Sequence, residues 1–349
     1  MERFCIGIDV SAKKFDVAVR VGKGRVDSQT FANDGLGHRA FVKSIKKRCK
    51  SIRVVMESTG IYGLDLALAL HEAKVEVMVV NPRAAANFAK AVLQRSKTDR
   101  LDAATLLLFA ERMPFIAWQR PTAQQLELRA ISRRVQALLE TQRAEKNRLH
   151  AAMHVTATGV VRKSIRASLK SLSKHIGELR AAALQVIKSD TLLARRNELL
   201  LTCKGIGQIS AISILAELSV LPNDMTDRQW VAHAGLDPRC FESGTSVHAA
   251  PRISKRGNRH LRAVLYLPAR VASRFESNAA RYAARLRAHG KTPLQIHVAV
   301  MRKLLHGIHA MFRDDRPFNG ASLFPAIDAV GTSGIAMFAI SEVSTAFSS

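Results

Sequence analysis

The sequence lacks three features, each of which would place it in a particular class. Its four cysteines include no CxxC pair, so neither a zinc ribbon nor a disulfide framework is indicated. No apolar run reaches the roughly 18 residues that a membrane-spanning helix needs, and the N-terminus carries no apolar signal segment. These absences predict a cytoplasmic protein with reduced thiols and no membrane partner.

The histidines also lack the spacing of a metal site. There are twelve, and none fall in the patterns typical of zinc ligands. We therefore expect no zinc. Three histidines of the C-terminal half are interpreted as surface or phosphate-contacting groups: His233, His248 and His260.

Acidic residues are scarce relative to basic ones. The 349 residues include 54 Lys and Arg against 28 Asp and Glu, which gives a formal charge of +26. Such an excess repels itself unless a polyanion neutralises it, so nucleic acid is the expected partner. Because 47% of the residues are hydrophobic, the chain is long and apolar enough for two domains with a connector.

The N-terminal third has the pattern of a mixed sheet. Residues 4–33 contain three β-rich runs with short polar connections, which predicts an antiparallel meander. Apolar runs at 52–58 and 75–82 alternate with helical segments at 37–48 and 61–73, which is typical of parallel strands joined by crossovers. We therefore predict an α/β domain with five strands.

The rest of the chain reads as mostly helical. Residues 122–190 have helical periodicity interrupted near 154–163, which predicts two long helices in an antiparallel coiled-coil connector, with a helical bundle as the alternative. The resulting domains are 1–121, 122–190 and 191–320, followed by a Ser-rich flexible tail at 321–349.

Four carboxylates occupy positions where a lone charge is costly or where two share a helix face. Asp9 and Glu57 lie in or at the end of apolar strands, and Asp99 and Asp102 stand three residues apart at a helix start. If strand ends and helix meet at one sheet edge, the acids would hold Mg²⁺, and two such ions about 3.5 to 4 Å apart can polarise a phosphodiester. Taken singly, each acid also fits a turn or a helix cap.

Basic residues concentrate in the second half. Between Arg252 and Lys303 there are thirteen Lys and Arg but one acid, Glu276. The basic loop at the start of this stretch is expected to bind the phosphate backbone of DNA. The predicted nucleic-acid-binding residues in and just before this stretch are Arg239, Arg252, Lys255, Arg256, Asn258, Arg259 and Arg262.

A Gly-Ile-Gly turn joins two helices within residues 199–218. Backbone N–H groups at the start of the second helix can hold a phosphate, so Gly205 and Gly207 are further candidates for nucleic-acid binding. An ordinary helical corner with glycines for tight packing explains the pattern equally well.

Ser243 in Glu-Ser-Gly lies just before the basic loop. A serine hydroxyl is a weak nucleophile that needs a base, a metal or nearby positive charge, and Arg239 and Arg252 would supply charge. Ser-Gly is also a common surface turn, and the local sequence does not decide between a nucleophile and a loop serine.

An ordered series of motifs adds a resemblance to these patterns. "IGIDVS", "VVMESTG", "KTDRLDA", "KGIG", "AGLDPRCFESGTS" and "RISKRGNRHLR" resemble the RuvC-like DEDD transposases of insertion sequences, a group called bridge recombinases. The resemblance covers roughly 320 residues and implies a ribonuclease-H-like or RuvC-like domain, a coiled-coil connector and a C-terminal transposase domain.

The resemblance also implies a chemistry. Asp9, Glu57, Asp99 and Asp102 would bind the metal, and Ser243 would attack DNA and form a covalent phosphoserine link. The implied partners are donor and target DNA and a structured non-coding guide RNA, the bridge RNA. Dimers assembling into tetramers are implied as well, with the acids of one protomer completing the serine site of another, in a bacterial cytoplasm near the nucleoid.

Two other functions remain open. A metal-dependent junction-resolving nuclease would use water as the nucleophile and leave Ser243 structural. A nucleic-acid-binding scaffold would rely on the basic half alone and would cut nothing.

Overall fold

The structure is a computed structural model that describes residues 4–22, 24–47, 51–57, 62–92, 99–154, 159–243 and 247–325, with the side chains of 99–100, 240–243 and 247–251 outside the description. The chain divides into two compact units, residues 1–120 and 121–349. Among the described residues, no helix is long and apolar enough to cross a bilayer.

The N-terminal unit is built on a five-stranded sheet. The strands are β1 (Phe4–Val10), β2 (Lys14–Val21), β3 (Arg25–Ala32), β4 (Ile52–Glu57) and β5 (Glu76–Val80), in the spatial order β3-β2-β1-β4-β5. Strands β1, β2 and β3 are antiparallel, whereas β1, β4 and β5 are parallel, so the predicted meander followed by crossovers is confirmed. The helices of this unit are α1 (Gly35–Lys46), α2 (Leu64–Glu72), α3 (Pro82–Ala91) and α4 (Asp99–Arg112).

Alternation along β1 divides the sheet into two faces. Ile6 and Ile8 are fully buried in one cluster with Phe41 of α1 and Leu66 of α2. The intervening Gly7 lies against α4 on the opposite face. Successive strand residues point to opposite faces, so Asp9 shares the α4 face with Gly7.

The C-terminal unit begins with an antiparallel helical hairpin formed by α5 (Ala123–Met153) and α6 (Gly159–Lys188). A Thr122–Gln125 capping box begins α5. Val135 and Leu138 of α5 pack against Ile176 of α6. The two predicted long helices are therefore present.

The remaining elements form the main apolar cluster of this unit. They are α7 (Thr191–Thr202), α8 (Gln208–Leu218), α9 (Asp227–His233), β6 (Pro238–Ser243), β7 (Val247–Ile253), α10 (Arg259–Phe275), α11 (Ser277–Ala288), α12 (Pro293–Asp314) and α13 (Gly320–Leu323). Helix α8 is buried along almost its whole length and lies at the centre, with Ile214 and Leu215 fully inaccessible.

Two features of this unit differ from the expectation of helices followed by a tail. Residues 238–243 and 247–253 form two paired antiparallel strands, where the sequence suggested a loop. The first residues of the tail expected from residue 321 are packed against the unit, because Phe324 is 2% exposed in the main cluster and Leu323 contacts Gly307. The rest of the tail, 326–349, lies outside the described residues.

Candidate active site and nucleic-acid interface

The parallel pairing of β1 and β4 brings two of the predicted acids side by side. Ile8 pairs with Met56, so the next residues, Asp9 and Glu57, lie on neighbouring strands at the same sheet edge. Neighbouring strands are about 4.8 Å apart, and residues in register point to the same face. Both side chains are half-buried.

Helix α4 lies directly on β1 because residue 7 is glycine. A Cβ at Gly7 would stand 2.2 Å from the Ala103 carbonyl oxygen and 2.2 Å from the Leu107 amide nitrogen. Further along, the Cys5 thiol donates to the Ala110 carbonyl at 3.7 Å. The helix therefore runs antiparallel to β1, and its N-terminal turn lies towards the end of the strand that carries Asp9.

That N-terminal turn carries the other two predicted acids. Asp102 is half-buried, and Asp99 is the first residue of α4, with its side chain outside the description. The fold thus directs Asp9, Glu57 and Asp102 to one region of the N-terminal unit. Within the described residues, no three carboxylates, histidines or cysteines are close enough to form a complete metal site.

A fifth carboxylate at this edge was missed by sequence reasoning. Asp16 of β2 is directly opposite Asp9 in the antiparallel pair and is 4% exposed. It accepts a hydrogen bond from the Thr30 hydroxyl and lies 3.1 Å from the Lys14 ammonium. The signal was an Asp inside the apolar strand "FDVAV", the same signal that identified Asp9.

The donor set at this edge suits a hard divalent cation. The converging side chains offer carboxylate oxygens, the ligands that Mg²⁺ prefers. Carboxylates that share a site repel one another unless a cation compensates their charge, and at Asp16 the Lys14 ammonium does so. Asp9, Glu57 and Asp102 therefore fit a Mg²⁺ site in ligand chemistry.

In the C-terminal unit, Ser243 is the last residue of β6. Its backbone pairs with Val247 across the hairpin, and Arg239 pairs with Arg252 nearer the base. Like charges directly opposite each other on paired strands are destabilising, so a bound anion would stabilise the Arg239–Arg252 pair. The Ser243 side chain and residues 244–246 lie outside the described residues.

The basic loop that follows β7 has a defined backbone. The Ser254 amide donates to the Asp237 carbonyl at 2.8 Å, and the Lys255 amide donates to the Gly235 carbonyl at 3.0 Å. Gly257, at φ 152°, leaves no room for a side chain, since a Cβ would lie 2.2 Å from the His233 carbonyl oxygen. This backbone holds four cations outward at exposed positions: Arg252, Lys255, Arg256 and Arg259.

Two other predicted nucleic-acid contacts have partners within the protein. Asn258 is the N-cap of α10 and accepts from the amides of His260 and Leu261 at 3.0 and 3.1 Å. The Arg262 guanidinium donates to the Ala234 carbonyl at 2.7 Å. Both side chains therefore help to fix the shape of the loop.

Glu217, also missed from the sequence, connects this loop to helix α5. It is fully buried and accepts two hydrogen bonds from Arg133, at 2.8 and 3.0 Å. Asn258 donates to the same carboxylate at 2.6 Å, and the Arg129 guanidinium lies 3.7 Å away. A lone Glu within the apolar helix "SILAEL" was the available signal.

Burial and charge act in opposite directions on the pKa of Glu217. Burial raises it, but hydrogen bonds from Arg133 and Asn258 and the nearby guanidinium charges outweigh burial and hold the pKa below its ordinary value. The carboxylate is therefore ionised and paired at neutral pH.

The histidines around this network are held neutral. Burial and then the Arg129 charge lower the pKa of His233, and burial and then the Arg133 charge lower the pKa of His260. The His260 ring contacts the Gln136 side-chain oxygen at 2.6 Å. His248 has its side chain outside the described part of the chain.

At one glycine of the Gly-Ile-Gly turn, the structure favours tight helix packing as the reason for the glycine. Gly205, at φ 106°, would place a Cβ 2.7 Å from the Pro268 carbonyl oxygen of α10. Gly207 begins α8 as its N-cap and has open space around it. Phosphate binding at Gly205 and Gly207 stays a prediction.

Comparison with known proteins supplies the family. A DEDD transposase family model of the IS110 type, described as "Transposase", matches residues 6–157, and one described as "Transposase IS116/IS110/IS902 family" matches 197–284. The first covers the acid edge, which is the sheet end with Asp9 and Glu57 together with the α4 turn that carries Asp99 and Asp102. The second covers Ser243 and the basic loop.

Individual relatives agree with these matches. A "Pilin gene-inverting protein" of Moraxella bovis is 27% identical over 324 residues, which is 91% of this chain and 98% of the relative. A "Probable family 20 transposase" of Pseudomonas aeruginosa is 33% identical over 143 residues, which is 41% of this chain and 39% of the relative. With both units matched in order, the chain belongs to the IS110 family of DEDD transposases.

Proposed function

We propose that this protein is a DNA transposase or recombinase that cuts and rejoins DNA through Ser243, with the acid edge as its metal site. The observation that carries the proposal is the register that places Asp9 beside Glu57 under the α4 turn bearing Asp102. Family membership supports recombination as the reaction.

In the proposed reaction the Ser243 hydroxyl oxygen forms a bond to phosphorus, and the bond from phosphorus to a sugar oxygen breaks. The serine loses its proton and the departing sugar oxygen gains one. A sugar hydroxyl of a second strand then reverses these changes, which restores the serine and leaves the DNA joined. One phosphodiester replaces another, so no outside energy source is required.

In this reaction different residues of the chain would bind the DNA phosphates and the metal ion. Arg252, Lys255, Arg256 and Arg259, exposed on a loop of fixed backbone, would hold phosphates on either side of the bond. Asp9, Glu57, Asp99 and Asp102 would hold Mg²⁺, which stabilises developing negative charge when bound. Lys14, paired with Asp16, would offset the charge of the carboxylate that lies opposite Asp9.

Other parts of the proposal rest on the resemblance. They are a RuvC-like architecture, a coiled-coil connector, a structured bridge RNA that pairs with donor and target DNA, dimers that assemble into tetramers, and a cytoplasmic location near the nucleoid. In this arrangement the acid edge of one protomer would complete the serine site of another.

Two substitutions test the chemistry against a junction-resolving nuclease. Ser243→Ala is expected to abolish cleavage, rejoining and any covalent protein–DNA product while leaving DNA binding intact. Asp102→Asn is expected to abolish cleavage as well, because it removes a metal-binding carboxylate. The measurement is cleavage and joining of labelled element-end DNA in Mg²⁺. Normal cleavage by Ser243→Ala would favour the nuclease, and no cleavage by the unaltered protein would favour a scaffold.

A further inference from the structure

Helix α6 carries a one-sided stripe of positive charge that none of the predicted sites uses. Its 30 residues contain seven Lys and Arg and a single acid, Glu178. Four of the cations fall three or four residues apart and are exposed: Lys163, Arg166, Lys170 and Lys174. Residues at that spacing share one helix face.

The stripe lies away from the apolar side of the hairpin. Leu172, Ile176 and Leu179 pack against Val135 and Leu138 of α5. At 100° per residue, the four cations centre roughly 160° around the helix from that contact side. The hairpin therefore holds the stripe towards solvent.

The charges of the stripe are largely uncompensated. Among the described residues, only Lys174 of the four has a carboxylate partner, Glu178 at 3.9 Å, in a pair that is 75% and 60% exposed. An exposed pair at this distance contributes little. Helix α5, in contrast, carries three acids: Glu127, Glu140 and Glu145. The cations of α5 are thus interspersed with acids, whereas those of the α6 stripe have one acid near them.

We infer that this stripe, formed by Lys163, Arg166, Lys170 and Lys174, is a second nucleic-acid contact that binds the phosphate backbone of duplex DNA. Eleven residues of helix rise about 16 Å, the length of roughly five base pairs of one DNA strand. Lysine and arginine at this spacing match a row of phosphates.

A duplex fits the stripe better than an unpaired strand. Helix α6 has no Phe, Tyr or Trp on which unpaired bases could stack, so its contacts are with backbone rather than with bases. The choice of DNA rests on the proposed function of cutting and joining DNA. The stripe contacts would add affinity without sequence preference.

The test is the salt dependence of duplex DNA binding by the full-length protein. The variant Lys163→Gln, Arg166→Gln, Lys170→Gln removes three exposed charges. Each lost phosphate contact lowers the slope of log affinity against log salt by about 0.9, so the slope is expected to fall in magnitude by about 2 to 3. Circular dichroism verifies that the helix content is unchanged.

A matched control removes the same charge from the same hairpin. Arg134→Gln, Arg143→Gln, Lys146→Gln alters three exposed cations of α5, near its acids, and is expected to leave the slope almost unchanged. Equal changes of slope in the two triple variants would contradict the proposal that the stripe binds duplex DNA. A change of slope seen only with an RNA duplex of the same sequence would also contradict it.

This experiment separates the stripe from the proposed chemistry. Ser243→Ala is expected to bind duplex DNA with the unaltered slope, because the serine is not among the stripe residues. If the unaltered protein forms no DNA adduct but its slope depends on the stripe, the proposed chemistry is wrong and the proposed stripe contact is supported. If the protein forms DNA adducts but the slope does not change in the stripe variant, only the proposed stripe contact is wrong.

Discussion

Glu217 is the single residue on which several parts of the C-terminal unit depend. Its carboxylate, with no exposed surface, joins Arg133 of α5 to Asn258, the residue that caps α10 and ends the basic loop. Removing one partner of a buried ion pair leaves an uncompensated charge, which is far costlier than losing an exposed pair.

Glu217→Gln keeps the shape of the side chain and removes its charge. We expect the free energy of unfolding of the C-terminal unit to fall by about 3 to 5 kcal/mol at neutral pH, because two guanidinium groups lose their counterion. Urea titration measures this change. The control Asp315→Asn breaks an exposed pair with Arg195 and is expected to cost less than about 1 kcal/mol. Equal losses for the two variants would contradict the importance of the buried network.

The same substitution has a defined pH dependence. The folded pKa of Glu217 lies below its ordinary value of 4.5, so its contribution to stability is complete above that pH and is lost as pH falls through the folded pKa. The stability gap between the unaltered protein and Glu217→Gln is therefore expected to narrow on acidification below pH 4.5. A gap that stays constant would argue against a charge effect.

At the scale of elements, local patterns predicted much of the fold. Alternating apolar runs identified all five strands of the N-terminal sheet, and helical periodicity identified α5 and α6, because each pattern is contained within one segment. The β6–β7 hairpin was missed, since Pro238, Pro251 and mixed polar residues give no alternation there.

Contacts distant in sequence set the parts of the site that could not be predicted. Glu217 and Arg133 are 84 positions apart, and nothing local to either residue reveals the other. Asp9 and Glu57 were found because strand ends meet by a general rule of parallel sheets. The close approach of α4 depends on Gly7, whose role appears only when the helix lies against it.

Gly7→Ala tests the packing of α4 on β1. The added Cβ would meet backbone atoms at 2.2 Å, so α4 must move and carry Asp102 with it. We expect a loss of about 1 to 3 kcal/mol in the stability of the N-terminal unit and a fall in DNA cleavage. Thermal unfolding and the cleavage assay measure the two effects.

The control makes the same substitution where there is space. Gly177 lies inside α6 with no atom within 4 Å of an added Cβ. Gly177→Ala is expected to stabilise the helix by up to about 1 kcal/mol. Unchanged stability and cleavage in Gly7→Ala would show that α4 does not need this close contact.

At the scale of the whole molecule, the net charge and the family matches both indicate a nucleic-acid partner. The net charge of +26 is concentrated in stretches with few acids, including the thirteen basic residues from Arg252 to Lys303. Transposase family models match each of the two units. The proposed division gives metal-binding acids to the first unit and the nucleophile to the second.

The most direct measurement of that claim is the position of the DNA on the protein. The complex formed with a nicked element-end DNA, which traps a covalent intermediate, is digested with nuclease and trypsin and examined by mass spectrometry. Cleavage after Arg239 and Arg252 releases residues 240–252 as one peptide. We expect a nucleotide on Ser243 in that peptide and no adduct from Ser243→Ala. A nucleotide on Thr245, Ser246 or another residue, or efficient rejoining with no protein adduct, would contradict it.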